Sequence, residues 1–155
     1  MKKGELLSIA IGIAVDAHAG VFDKGGTPYI LHPLKVMHYL KSDDEELMCI
    51  AVLHDTVEDC KRITYAYLRE KGMTERIIDG VRCMTKVPGE TEEEYKAKVM
   101  SNPDSIKAKK ADLRHNSDIR RLKSKAITEK DIARMTKYHM FYLELEAKLA
   151  EIGAK

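Results

Sequence analysis

The sequence has little that is typical of secreted, membrane-bound or nucleic-acid-binding proteins. Its three cysteines are odd in number and form no Cys-x-x-Cys pair, which argues against a disulfide framework and a zinc knuckle. Its 27 basic and 25 acidic residues nearly balance, so it has neither a nucleic-acid-binding arm nor a polybasic membrane patch. No apolar run reaches the ~20 residues that a membrane helix needs. We expect a cytoplasmic protein without nucleic-acid or membrane partners.

The N-terminus imitates an export signal in one respect. Two lysines precede the apolar run 6–15, and the sequence Ala-His-Ala at 17–19 resembles a signal-peptidase site. However, Glu5 stands ahead of the run and Asp16 lies close to the apparent cleavage site. A buried first helix explains the same apolar residues, and we favour that interpretation.

Strand signals are almost absent, whereas helix signals recur along the chain. The pattern predicts an all-α fold, a compact single-domain helical bundle of about seven to eight helices that spans residues 1–155. The predicted helices cover 6–19, 33–40, a segment capped by Ser42 and Glu45 that carries His54 and Asp55, 64–71, 74–85, a segment capped by Thr91, 103–122 and a last helix from Thr128.

The last helix carries two apolar heptad series. Within each series the apolar residues recur every seven positions, and the two series are offset by three positions. They therefore lie side by side on the helix, which predicts a single apolar stripe that packs onto the bundle. The two series are Met135, Tyr142, Leu149 and Tyr138, Leu145, Ile152.

The segment AVLHDTVEDC at 51–60 concentrates ionisable groups after an apolar run. In a helix that continues through it, His54 and Glu58, and likewise Asp55 and Asp59, would lie four residues apart on one surface. Three neighbouring carboxylates repel one another unless a cation compensates them. A divalent metal would resolve this conflict, although a helix C-terminus whose histidine pairs with carbonyl groups also fits the pattern.

Further ligands must come from other parts of the chain. His32 precedes Pro33, and Asp112 shares a helix face with His115 and Asn116. Two imidazoles and two carboxylates suit Mn²⁺, Fe²⁺ or Zn²⁺ better than Ca²⁺ or Mg²⁺.

Three segments in order, AHAGVFDKGGTPYILHP, AVLHDTVEDC and KKADLRHN, resemble the signature segments of the (p)ppGpp hydrolases of the HD superfamily. That group includes the small alarmone hydrolases and the hydrolase half of the Rel/SpoT stringent-response enzymes. The resemblance extends over residues 17–116. It implies Mn²⁺-dependent hydrolysis of the 3′-pyrophosphate of guanosine tetra- or pentaphosphate, which yields GDP or GTP and pyrophosphate.

The resemblance also implies a role for each matching residue. The metal ligands would be His32, His54, Asp55 and Asp112, and Glu58 and Asp59 would orient and deprotonate the attacking water. Substrate contacts would come from Lys24 to the pyrophosphate, Asn116 to the ribose, and Lys109, for which a solvated lysine is an equally good interpretation.

Two segments depart from the family pattern. Asp23 stands where the family has an arginine that packs against the base, and an aspartate can neither stack nor attract a phosphate. The sequence Ser-Asp-Ile at 117–119 replaces a typical Met-Arg-Thr. The base preference is therefore open, and two alternatives remain: hydrolysis of another nucleotide, such as an adenosine alarmone or a nucleoside monophosphate, and a non-catalytic alarmone-binding module.

Overall fold

Helices account for most of the computed structural model, which describes residues 1–123 and 126–153. The only strand-like feature in these ranges is an isolated bridge between Phe22 and Pro28, so the predicted all-α fold is confirmed. The helices are α1 (Glu5–Ala17), α2 (Leu31–Tyr39), α3 (Glu45–Leu53), α4 (Thr56–Asp59), α5 (Tyr65–Glu70), α6 (Glu75–Met84), α7 (Glu92–Met100), α8 (Pro103–Asn116) and α9 (Glu129–Glu151), with a 3₁₀ turn (Ile119–Arg121) before α9.

Threonine side chains begin four of these helices. Thr64, Thr74 and Thr91 each accept a hydrogen bond from a backbone N–H three residues on, which satisfies a donor that the first turn leaves without a partner. Thr128 and Asp131 form a complete capping box at the start of α9. The predicted starts of α7 and α9 are therefore confirmed.

The capping box predicted at Ser42 and Glu45 is wrong. Asp44 caps α3 by accepting from the Leu47 N–H, and Ser42 accepts from the Asp44 N–H instead. The Glu45 carboxylate accepts from the backbone N–H groups of Gly4 and Leu7, at 3.1 and 3.0 Å. This carboxylate therefore caps α1, a long-range use that local spacing cannot reveal.

The predicted helix 103–122 is also wrong at its C-terminal end. α8 ends at Asn116, and Asp118 accepts a 3.0 Å hydrogen bond from the Arg120 N–H at the start of the 3₁₀ turn. Serine and aspartate side chains compete with the helical hydrogen-bond ladder in this way. The chain consequently turns back across the end of α8.

The central helix of the bundle is α3, which packs against α1, α2, α6 and α8. Five consecutive residues, Cys49 to Leu53, are fully buried, so this part of the helix is apolar on every side. Gly80 of α6 allows the closest approach, because a Cβ there would lie 2.5 Å from the Cδ1 atom of Ile50. The end of α3 is therefore held rigidly from several directions.

A second apolar cluster joins α7, α8 and α9. Leu145 and Leu149 of the predicted stripe are buried, together with Phe141, which lies four residues earlier. Ile152 is 44% exposed, so the stripe ends before it. Within the described ranges, no helix has the length and apolarity needed to cross a membrane.

Candidate metal centre and active site

The chain interrupts its helix at the predicted His-Asp pair. α3 ends at Leu53 and α4 begins at Thr56, whose hydroxyl donates to the Leu53 carbonyl at 2.8 Å. Neighbouring side chains diverge by about 100° in a continuous helix. After the break, His54 Nε2 lies 3.0 Å from Asp55 Oδ2. The continuous helix considered from the sequence does not form, and His54 and Asp55 lie at the junction between α3 and α4.

Four predicted ligands meet where α2, the α3–α4 junction and α8 converge. His32 Nε2 lies 2.9 Å from Asp112 Oδ1, and His54 Nε2 lies 3.3 Å from the same oxygen. Asp55 Oδ2 is 3.8 Å from His32 Nε2. One ligand atom each from His32, His54 and Asp112 lies within 4.8 Å of the others, so one cation could contact all three. We call these four residues the ligand cluster.

Hydrogen bonds on the far side of each imidazole set its orientation. His54 Nδ1 lies 2.7 Å from the Ala51 carbonyl oxygen and donates to it, which directs Nε2 into the cluster. This Nε2 is buried and makes no hydrogen bond of good geometry within the described residues, although Asp55 Oδ2 and Asp112 Oδ1 lie 3.0 and 3.3 Å away. A buried ring nitrogen that faces two carboxylates requires either a proton or a metal cation between them, so the residues present fit a bound metal.

His32 is oriented by a second histidine. Its Nδ1 lies 2.7 Å from His115 Nδ1, and the two ring planes are nearly parallel, at 16°, with centroids 5.0 Å apart. Burial, together with Arg121 and His32, lowers the pKa of His115 to about 4. His115 is therefore neutral, and its Nδ1 can accept a hydrogen bond from the His32 Nδ1–H, which leaves His32 Nε2 for a metal. The sequence placed His115 beside Asp112 but assigned it no role.

The carboxylates of the cluster are charged although Asp112 is buried and Asp55 is half-buried. Burial opposes ionisation of Asp112, but Lys109 and His54 hold its pKa well below the usual range. Burial likewise opposes ionisation of Asp55, whose pKa His54 lowers to about 2. Burial disfavours the protonated His54 imidazole, but Asp55 and Asp112 raise its pKa well above the usual value. A divalent cation and the His54 proton thus compete for the same carboxylates.

Tyr29 supports the cluster and was not identified from the sequence. Its hydroxyl donates a short hydrogen bond to Asp55 Oδ2. Burial and the Asp55 charge raise the pKa of Tyr29 above its usual value, so the hydroxyl keeps its proton and stays a donor. Only its position in the motif Pro-Tyr-Ile-Leu-His, three residues before His32, could have suggested this contact.

The predicted acidic pair divides between two cavities. Glu58 lines a cavity of about 170 Å³ with all four members of the ligand cluster, which we call the central cavity. Its Oε1 accepts a 2.9 Å hydrogen bond from the Lys86 N–H. Asp59 instead lines an adjacent cavity of about 540 Å³, which we call the rim cavity. Burial, Asp55 and Glu58 raise the pKa of Asp59 to about 6.

The three residues predicted to contact the substrate lie in different parts of the site. Lys24 lines the rim cavity on an exposed turn, and Asn116 lines both cavities. Lys109 Nζ donates to Asp112 Oδ2 at 2.8 Å and is only 13% exposed. Burial disfavours its charge, but Asp112 raises its pKa overall, so Lys109 is a fixed cation behind a predicted ligand.

The family comparison agrees with this geometry. The model of the HD domain matches residues 10–127, which include the whole ligand cluster. The guanosine-3′,5′-bis(diphosphate) 3′-pyrophosphohydrolase of Haemophilus influenzae is 36% identical over 85 residues, which cover 53% of this chain and 13% of that protein. The bifunctional (p)ppGpp synthase/hydrolase SpoT of Escherichia coli is 33% identical over 118 residues, which cover 67% of this chain and 16% of that protein.

A solved structure has the same fold along nearly its whole length. It is the structure of a metazoan ortholog of SpoT that hydrolyzes ppGpp and plays a role in starvation responses. The two chains superpose with a TM-score of 0.74 at 20% sequence identity. The match covers 98% of this chain and 96% of that one. Each curated relative, in contrast, is several times longer than this chain. The family match and the converging histidines and aspartates together establish that the chain belongs to the HD domain family.

Proposed function

We propose that the protein hydrolyses the 3′-pyrophosphate of guanosine tetra- or pentaphosphate and releases pyrophosphate with GDP or GTP. The observation that carries the proposal is the buried ligand cluster, which shares the central cavity with Glu58. The proposal is supported by relatives that are named for this hydrolysis. It includes a nucleotide as the small-molecule partner and a cytoplasmic location, in keeping with three unpaired cysteines.

We infer that Mn²⁺ is the metal and that His32, His54, Asp55 and Asp112 hold it. Two neutral imidazole nitrogens and two carboxylates suit Mn²⁺, whereas Ca²⁺ and Mg²⁺ prefer oxygen ligands alone. When bound, such a cation offsets phosphate charge and lowers the pKa of water. Tyr29 and His115 orient two of these ligands from behind.

Glu58 and Asp59 are proposed to orient the attacking water and take its proton. Glu58 faces the ligand cluster across the central cavity, and the Lys86 N–H fixes its carboxylate. The pKa of Asp59 is about 6, and a general base works best when its pKa is close to the pH of the reaction. The proton released by the attacking water would therefore pass to one of these two carboxylates.

Lys24 and Asn116 are proposed to place the nucleotide. The Lys24 ammonium is a point charge suited to a pyrophosphate oxygen. Asn116 lines both cavities and is proposed to contact the ribose of a nucleotide that extends from one cavity into the other. Lys109 contributes through Asp112, since its ammonium already donates to that carboxylate.

Chromatographic product analysis tests the proposal. The purified protein is incubated with Mn²⁺ and, in separate reactions, with ppGpp, its adenosine analogue and GMP. We expect pyrophosphate release from ppGpp. Release from the adenosine compound alone would mean that the altered turn at 23–27 has changed the base preference, and phosphate release from GMP alone would support a nucleotidase. If none reacts although the metal is bound, the protein would be a binding module.

A further inference from the structure

The turn at 23–27, which carries the Asp23 departure, touches Arg121 beside the rim cavity, two residues after the departing segment 117–119. Asp23 Oδ1 accepts from the N–H groups of Gly25 and Thr27, at 3.0 and 2.9 Å, which closes the turn at 23–27. This turn lies against the 3₁₀ turn so tightly that a Cβ on Gly25 would be 3.0 Å from the Arg121 carbonyl oxygen. The contact therefore holds Arg121 in a fixed place beside Asp23.

The guanidinium of Arg121 has both terminal nitrogens directed at protein acceptors. Nη1 donates to Asn116 Oδ1 at 2.9 Å, and Nη2 lies 3.5 Å from Asp23 Oδ2. Its side chain is 22% exposed and lines the rim cavity. Because the edge of the group is occupied and its charge is paired, its flat face is the part best suited to a ligand.

The rest of the rim cavity suits a flat, largely apolar group that is joined to phosphate. Phe22, Leu122 and Met135 contribute apolar surface, and the Phe22 ring is 61% exposed. Lys24, on the same turn, makes no ion pair within the described ranges. The cavity of about 540 Å³ has ample room for a nucleobase and opens towards the central cavity at Tyr29 and Asn116.

We propose that Arg121 is the base-contacting residue of this protein and that its guanidinium stacks on the nucleobase, with Asp23 and Asn116 as its positioning residues. The inference rests on the proposed function only for the nucleotide, whose phosphates lie at the ligand cluster. It gives Asp23 a role: this carboxylate cannot stack on a base, but it holds an arginine that can. Because every base has a π face, the contact favours nucleotides over simple phosphate esters and accepts either purine.

Calorimetric titration of the Mn²⁺-loaded protein tests this inference without turnover. The probes are GDP, which carries a base, and inorganic pyrophosphate, which does not. Arg121→Ala should weaken GDP binding roughly 5- to 150-fold, the range for loss of one base stack, and leave pyrophosphate binding unchanged. Arg121→Lys should bind GDP as weakly as Arg121→Ala, since an ammonium keeps the charge but has no flat face.

Two further variants and one control complete the series. Asp23→Asn keeps an oxygen for the turn and removes the charge beside Arg121, so an intermediate loss of GDP affinity is expected. Gly25→Ala should act in the same direction, because it pushes against the Arg121 backbone. Arg120→Ala changes the neighbouring arginine, which is 87% exposed, and should bind both probes like the wild type.

The inference is overturned if Arg121→Ala binds GDP normally, if Arg121→Lys restores binding, or if pyrophosphate binding falls in parallel with GDP binding. It is also overturned if the wild type does not bind GDP. Melting curves of each variant check that the fold is intact. If Arg121→Ala does not fold, the comparison of GDP with pyrophosphate binding is made with Arg121→Lys. Arg121-dependent GDP binding without ppGpp hydrolysis would contradict the proposed function and support this inference. Hydrolysis together with a normal Arg121→Ala titration would do the reverse.

Discussion

The ligand cluster and the wall of the rim cavity are built differently. His32, His54 and Asp112 are at most 4% exposed; they lie on α2, directly after the last residue of α3, and on α8, and these three helices pack against one another. The wall near Arg121 consists of a five-residue turn and a 3₁₀ turn, and its Phe22 ring is 61% exposed. Packed helices and the junction between two of them thus hold the proposed metal ligands, whereas turns hold Lys24 and Arg121, which are proposed for substrate selection. Loops can change without disturbing the core, and in this chain the departures from the family lie there.

Removing a member of the ligand cluster should have the largest effect. We expect Asp55→Ala to abolish Mn²⁺ binding and hydrolysis together, because Asp55 contacts both His54 and Tyr29. Metal content after dialysis, measured beside pyrophosphate release, checks this. Asp43→Ala, on the exposed loop before α3, is the control. An Asp55→Ala protein that retains its metal would remove this residue from the ligand set.

A smaller effect is expected when the cluster stays intact but the acid facing it loses its charge. Glu58→Gln keeps an oxygen for the Lys86 N–H and should leave Mn²⁺ bound. Hydrolysis should slow about 10²- to 10⁴-fold, the usual contribution of a general base. Single-turnover kinetics with a metal assay measure both quantities. Full activity of Glu58→Gln would exclude it from the mechanism.

The support behind the cluster can be tested with two glycines. Gly80→Ala places a Cβ against Ile50 of α3 and should lower the free energy of unfolding by about 1–2 kcal/mol, since a buried side chain has little room to move. Gly12→Ala is the matched control in α1, where a Cβ meets no atom within 4 Å. It should be neutral or stabilise by up to about 1 kcal/mol through helix propensity. Denaturant unfolding of both variants separates packing from propensity, and equal shifts would contradict the close contact.

The smallest effect concerns the pH dependence of stability at the rim. Burial, Asp55 and Glu58 raise the pKa of Asp59 to about 6, above its value in an unfolded chain. The folded protein therefore binds the Asp59 proton more tightly than the unfolded chain does. The contribution of this proton to the free energy of unfolding is fully present below about pH 4 and is lost as the pH rises through about 6. In metal-free buffer, Asp59→Asn should melt at most a few degrees above the wild type at pH 8 and match it near pH 4; solvent screening keeps the effect below about 1 kcal/mol.

The control for this comparison is Asp43→Asn, which removes one charge from an exposed position away from the cluster. Thermal melts of the three proteins across this pH range measure the difference. A constant offset between Asp59→Asn and the wild type at every pH would mean that the substitution acts through packing and not through ionisation. Adding Mn²⁺ should reduce the offset, since a cation favours the charged carboxylate.

Helix starts were predicted correctly where all the residues of the capping signal lie within a few positions of one another. Thr91 and Thr128 begin helices as expected because an N-cap needs only its own first turn. The capping box at Ser42 and Glu45 was wrong because Glu45 reaches α1, about 40 residues away in sequence. Helix ends and caps of that kind depend on which segments meet, and spacing alone does not contain this information.

The helical class of the fold and the candidate histidines and aspartates could be predicted from the sequence, because helix periodicity and the three signature segments are local patterns. How these residues are used depends on contacts between distant segments and is visible only in the folded chain. His54 Nε2 and Asp55 Oδ2 lie 3.0 Å apart at the junction between α3 and α4, and His115 and Tyr29 become the supports of two predicted ligands. Asp23 and Arg121 are 98 residues apart in sequence, yet they meet at the rim cavity. Such pairs form because packing the apolar faces of the helices fixes where the loops meet, and no short window of sequence records that.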